Sequence, residues 1–67
     1  MRYFDIHVTY GDKDGEGYSI PVAINGNEED AIKKAKEDNM FEYEEDIENI
    51  DYVDEMSEED FKEIYSI

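Results

Sequence analysis

Residues 2 to 10, RYFDIHVTY, alternate with a period of two: Phe4, Ile6, Val8 and Tyr10 fall on one side, Tyr3, Asp5, His7 and Thr9 on the other. Successive side chains of an extended chain point to opposite faces, so this pattern reads as a strand with one face buried. The segment GDKDGEG, Gly11 to Gly17, then supplies turn-favouring residues, and Tyr18, Ile20, Val22 and Ile24 resume the alternation. The two runs predict a β-hairpin. Pro21 sits in the outward register of the second run, and proline has no N–H to donate to a ladder, so the second strand belongs at an edge and the first at the centre.

Asn25-Gly26-Asn27 ends the hairpin, and Asn27 with Asp30 three positions on has the form of a helix N-cap. Glu28, Glu29 and Asp30 lie at the positive end of the expected helix dipole and Lys33, Lys34 and Lys36 follow, the order that the dipole favours. The helix is expected over residues 28 to 39, with a narrow face of Ala31, Ile32 and Ala35 against the sheet and Met40 and Phe41 just past its end. Residues 42 to 47 select no period and are expected to form an irregular or one-turn helical connection. Ile50 and Tyr52, with Met56 in the same register, alternate with Asp51 and run into Val53, predicting a third strand over about 48 to 56 beside the first. Ser57 opens S-E-E-D, a capping-box-like start, and Phe61, Ile64 and Tyr65 give the spacing of a short last helix. The expected fold is α+β: one domain, 1–67, in the order β-β-α-β-α, with a three-stranded antiparallel sheet and the helices packed on one face.

A chain of 67 residues buries only about 60% of the surface its unfolded form exposes, so stability should be modest. Six basic against twenty-one acidic residues give a formal charge of -15, which opposes compaction and keeps the molecule soluble. High charge with low hydropathy also marks disordered chains. Nine aromatic residues and the regular apolar periods argue for a fold. There is no cysteine to form a disulfide or a thiolate metal site. The N-terminus has no basic segment followed by a long apolar run, so a soluble, cytoplasmic protein without membrane contact is expected.

The charge is concentrated. Residues 41 to 61, FEYEEDIENIDYVDEMSEEDF, hold eleven carboxylates and no lysine or arginine. DNA and RNA should repel such a surface, because affinity for phosphates rests on lysine and arginine. A cationic protein groove should accept it. Carboxylates two apart on a strand lie about 6.6 Å apart, and those four apart on a helix about 6 Å. Both intervals are close to the spacing of successive phosphates, so Asp51 and Glu55 on the strand, with Glu59 and Glu63 on the helix, can imitate a phosphate track. The alternative for the same residues is a solvated face that only confers solubility. The tyrosines at 43 and 52, inside the acidic stretch, suit an interface, while Tyr52 suits the core equally well.

Other chemistry finds less support. Asp12, Asp14, Glu16 and Gly17 imitate the start of an EF-hand loop, but the register puts Ala23 where the bidentate glutamate belongs, so a hairpin loop is the expectation and no metal site is assigned. His7, the one histidine, is expected on the solvent side of its strand, with no serine or cysteine recognisably near it for a nucleophilic triad. No catalytic residue, enzymatic activity or cofactor is expected.

The hairpin beginning RYFDIHVTY, the NEEDAIKKAKED helix and the acidic segment ending ENIDYVDEMSEEDF together resemble the small DpnD/PcfM-like proteins of phages and mobile elements. That resemblance spans most of the chain and implies a mobile-element origin more than an activity. In charge and size the chain is also similar to phage-encoded anti-CRISPR and anti-restriction proteins that act as DNA mimics, which implies an inhibitor of a CRISPR effector nuclease or restriction enzyme in a bacterial host. The expected contacts to such a basic nucleic-acid-binding protein are Glu44, Glu45, Asp46, Glu48, Asp51, Asp54, Glu55 and Glu59. A monomer or weak dimer is expected. The competing expectation is an accessory interaction module with no nuclease target, self-associating through the hairpin edge.

Overall fold

The computed structural model describes residues 1–11 and 16–65. Strands β1 (Arg2–Thr9) and β2 (Gly17–Ile24) form the hairpin, followed by helix α1 (Glu28–Glu37), a 3-10 turn (Glu44–Asn49), strand β3 (Ile50–Met56) and helix α2 (Glu58–Tyr65). The sheet is antiparallel in the order β2-β1-β3, with β1 central and Pro21 on an edge strand, as the alternation and the proline require. Asp12 and Asp14 of the EF-hand-like run lie outside the described residues. Gly17 opens β2 so close to β1 that a Cβ there would run into the Val8 carbonyl oxygen.

The core is built on one face of the sheet. Phe4, Ile6 and Val8 from β1 and Ile20 and Val22 from β2 are buried against Ala31 and Ala35 of α1. Small residues on the helix let it sit close to the sheet. At its start, the Asn27 side chain accepts from the Asp30 N–H (3.0 Å) and the Asp30 carboxylate accepts from the Asn27 N–H (2.9 Å), a reciprocal capping box. At its end, Asn39 takes a left-handed φ of 53°, and the Met40 N–H donates to the Ala35 carbonyl (2.9 Å), which turns Met40 back onto the core.

Two features depart from expectation. The helices do not share a face: α2 lies on the opposite side from α1, with the Phe61 ring 5.0 Å from that of Tyr3 and the Tyr65 hydroxyl donating to Asp5. Tyr3 and Asp5 belong to the face of β1 that alternation assigned to solvent. Asp5 is in consequence only 6% exposed. The second departure is in β3. His7 stands opposite Tyr52 but Val8 stands opposite Ile50, so Asp51 is an extra residue at a β-bulge. The bulge reverses the phase of the strand. Ile50 and Val53 both pack against the α1-side core, while Tyr52 turns to the α2 side instead of sharing a face with Ile50.

Candidate functional site

The acidic stretch is folded along its length. Its first part, the 3-10 turn, is tied to the hairpin by tyrosines: the Tyr18 hydroxyl donates to Asp46 (2.6 Å) and accepts from the Glu42 N–H (2.9 Å), while the Tyr10 hydroxyl donates to the Glu42 carboxylate (3.1 Å). The Tyr43 N–H also donates to Asp46 (3.3 Å). Asp46 is 3% exposed, so the structure withdraws it from the expected contact residues: its carboxylate is a structural acceptor. Burial, and then the Asp46 hydrogen bond, push the Tyr18 hydroxyl up to about 12.

Glu55 is the second correction. Both of its carboxylate oxygens accept from Arg2, at 2.8 Å each, and this hydrogen bonding holds the Glu55 carboxyl below its usual range. A fork-to-fork pair leaves it little free charge to offer a partner. Ordinary alternation separates Glu55 from Asp54. Glu55 pairs across from Phe4 on the α1 side, whereas Asp54 pairs across from Asp5 on the α2 side, and Asp51 is the unpaired residue of the bulge, so the regular strand spacing expected from Asp51 to Glu55 is interrupted.

The remaining six expected contacts, Glu44, Glu45 and Glu48 on the 3-10 turn, Asp51 and Asp54 on β3 and Glu59 on α2, are exposed. None has an ion pair among the described residues. The bridges there join Arg2 to Glu55, Lys34 to Asp38 (3.2 Å) and Lys62 to Glu58 (3.0 Å), with His7 at 3.7 Å from Asp5. Ser57 caps α2 by accepting from the Asp60 N–H (3.1 Å), so Glu59 projects from an anchored first turn. These six carboxylates are therefore held on ordered backbone and answered by no cation among the described residues. Among the described residues, no set of His, Cys, Asp and Glu side chains is grouped to hold a metal ion.

Across the α2 side of the sheet, from β2 through β1 to β3, runs a polar row that alternation alone does not reveal. His7 is half-buried. Its ring stacks on Tyr52, with centroids 4.2 Å apart and planes inclined by 19°, and its Nδ1 is 3.1 Å from the Ser19 hydroxyl. The register that pairs His7 with Ser19 thus puts a serine beside the one histidine, contrary to expectation. The arrangement is not a working triad. At 3.7 Å the His7 Nε2 makes no hydrogen bond to Asp5, so nothing fixes the imidazole tautomer, and Asp5 is engaged by Tyr65 instead. Burial, and then the bond to Asp5, push the Tyr65 hydroxyl up. The signal for this cluster was present in Phe61 and Tyr65: a helix with an aromatic face needs a sheet face to cover, and α1 already occupied the other.

Fold and face together define a small acidic α+β scaffold that presents exposed carboxylates, without an ion pair among the described residues, from a turn, an edge strand and a capped helix. No protein-family model, curated protein or solved structure matches the chain. Among the described residues, no helix is long and apolar enough to cross a membrane.

Proposed function

We propose that this protein binds a cationic, nucleic-acid-binding protein through its acidic face and blocks access of nucleic acid by occupying the phosphate-binding surface, without chemistry. The observation that carries the reading is the set of six exposed carboxylates, Glu44, Glu45, Glu48, Asp51, Asp54 and Glu59, on ordered elements with no intramolecular ion pair among the described residues. Fixed charges lose less entropy on binding than charges on a coil, so the same formal charge gives tighter and more selective association. The target class we propose is a CRISPR effector nuclease or restriction enzyme, with the protein acting as a phage or mobile-element inhibitor in a bacterial host. Such enzymes carry arginine-lined channels for DNA.

The test is a DNA-cleavage assay across a panel of CRISPR effectors and restriction enzymes, with competition against duplex DNA. Inhibition that excess DNA relieves, and that Asp51→Lys with Asp54→Lys abolishes, supports occlusion. Inhibition unchanged by the double reversal defeats it for this face. The alternative, self-association through a sheet edge, is opposed by Pro21 on β2 and by the exposed Asp51, Asp54 and Glu55 on β3, both devices that discourage strand addition. Sedimentation giving a dimer at micromolar concentration would favour that reading instead.

A further inference from the structure

Tyr52 is 54% exposed, a large aromatic side chain standing in the middle of an acidic surface. Its ring is held from one side by its cross-strand neighbour. The bulge at Asp51 turns it onto the α2 side of the sheet, where one face of its ring stacks on His7 and the Ser19 hydroxyl reaches the far side of that imidazole. Helix α2 covers the neighbouring rows of this face through Phe61 on Tyr3 and Tyr65 on Asp5, and those contacts do not reach Tyr52. The other face of the Tyr52 ring is left open. Asp54 lies two residues along the same strand face, a distance of about 6.6 Å in a regular strand, and the exposed Asp51 precedes Tyr52 in the chain as the extra residue of the bulge.

We infer that the open face of Tyr52, with Asp54 on the same strand face and Asp51 next to it in the chain, is a seat for an arginine side chain of a cationic protein partner. The inference rests on the proposed acidic-face function and adds to it the chemistry that the face selects. A guanidinium is planar, weakly hydrated and able to lie flat on an aromatic ring while its edge N–H groups reach carboxylates. A lysine ammonium satisfies the carboxylates but gains less from the ring and has no fork to span two acceptors. The surface should therefore discriminate arginine from lysine at equal charge. A merely solubilising acidic face has no reason to do so. Charge complementarity selects a cation, and the single pre-stacked ring selects a flat one.

The probes are N-acetylated deca-arginine and deca-lysine, titrated against the whole protein at low and moderate salt by calorimetry, with far-UV circular dichroism confirming that each variant is folded. Deca-arginine should bind more tightly. Tyr52→Leu keeps apolar bulk and removes the π face, and should cut the arginine-to-lysine affinity ratio by about two- to fivefold, the range of a cation–π contact at an exposed site. Tyr52→Phe keeps the ring and should keep most of the ratio. An unchanged ratio in Tyr52→Leu, with both peptides still bound and both weakened by Asp51→Lys with Asp54→Lys, overturns the arginine seat and leaves the acidic-face reading standing. If neither peptide binds, or the charge reversals change nothing, the acidic face itself fails and the arginine seat falls with it.

Discussion

The two buried carboxylates each depend on one tyrosine. Asp46 accepts from Tyr18 at 2.6 Å and from the Tyr43 N–H, and removing its side chain as Asp46→Ala leaves both donors without a partner, at a cost of about 1–3 kcal/mol. Tyr18→Phe should cost a similar amount, and the double variant less than the sum, because both act through the same bond. Chemical denaturation of the four proteins in the cycle measures that coupling. The same tyrosines set the alkaline limit of the fold. Tyrosine in an unfolded chain loses its proton near pH 10, whereas burial and then the Asp46 bond raise Tyr18 to about 12, and Tyr65 is raised in the same way beside Asp5. Below pH 10 both states are protonated and the full contribution is present. As pH rises from 10 towards 12 the unfolded state releases protons that the folded state keeps, so stability falls across that window. Urea midpoints at pH 9 and pH 11 should therefore differ, and Tyr18→Phe should reduce the difference. A Tyr18→Phe protein with the same alkaline loss would remove Tyr18 from this account.

At the level of elements, the two helices are held by different means and should fail differently. The Asn27–Asp30 box is exposed, and Asn27→Ala should cost about 1 kcal/mol while leaving α1 docked through Ala31 and Ala35. Helix α2 has eight residues and depends on Phe61, which is buried, so Phe61→Ala should cost about 3–5 kcal/mol. A domain of this length has about 3–10 kcal/mol in total. Hydrogen exchange should then show the α2 amides losing protection at once. If those amides stay as protected as the α1 amides, Phe61 is not what holds the helix. The hairpin, α1 and the strand order were legible in the sequence because each is encoded locally: alternation in β1 and β2, a proline on the edge, Asn27 ahead of a helix. The face chosen by α2 was not, because Tyr3, Asp5 and His7 look like a solvent-side set until Phe61 and Tyr65, far along the chain, arrive to cover part of it. The bulge at Asp51 is legible only from the pairing of β1 with β3. It decided the candidate site, sending Tyr52 to one side and Glu55 to Arg2 on the other. Asp46 was misplaced for a similar reason: one carboxylate in an acidic run carries no local sign that a tyrosine 28 residues earlier will bury it.

For the molecule as a whole, charge acts with opposite sign on stability and on binding. A net charge of -15 is confined to a body measuring 33 × 22 × 17 Å. At about 0.01 M salt the screening length is about 30 Å, so nearly every carboxylate repels every other, while at about 0.15 M it falls to about 8 Å and only neighbours interact. The ion pairs that salt would weaken are few and exposed, joining Arg2 to Glu55, Lys34 to Asp38 and Lys62 to Glu58 among the described residues. Surface pairs of that kind contribute little to stability. Repulsion therefore dominates, and Tm should rise as salt is added. Association with a cationic partner runs the other way, since the same screening removes the long-range attraction that speeds encounter. Neutralising part of the face should reproduce both effects without salt. Asp51→Asn, Asp54→Asn and Glu59→Gln together should raise Tm at low ionic strength, bring the low-salt and moderate-salt values closer, and slow the association rate while flattening its salt dependence. Thermal melts and stopped-flow association of one set of variants test both halves together. A triple variant with a higher Tm and an unchanged association rate would show that these carboxylates strain the fold without steering a partner to it, and would assign the acidic face to solubility alone.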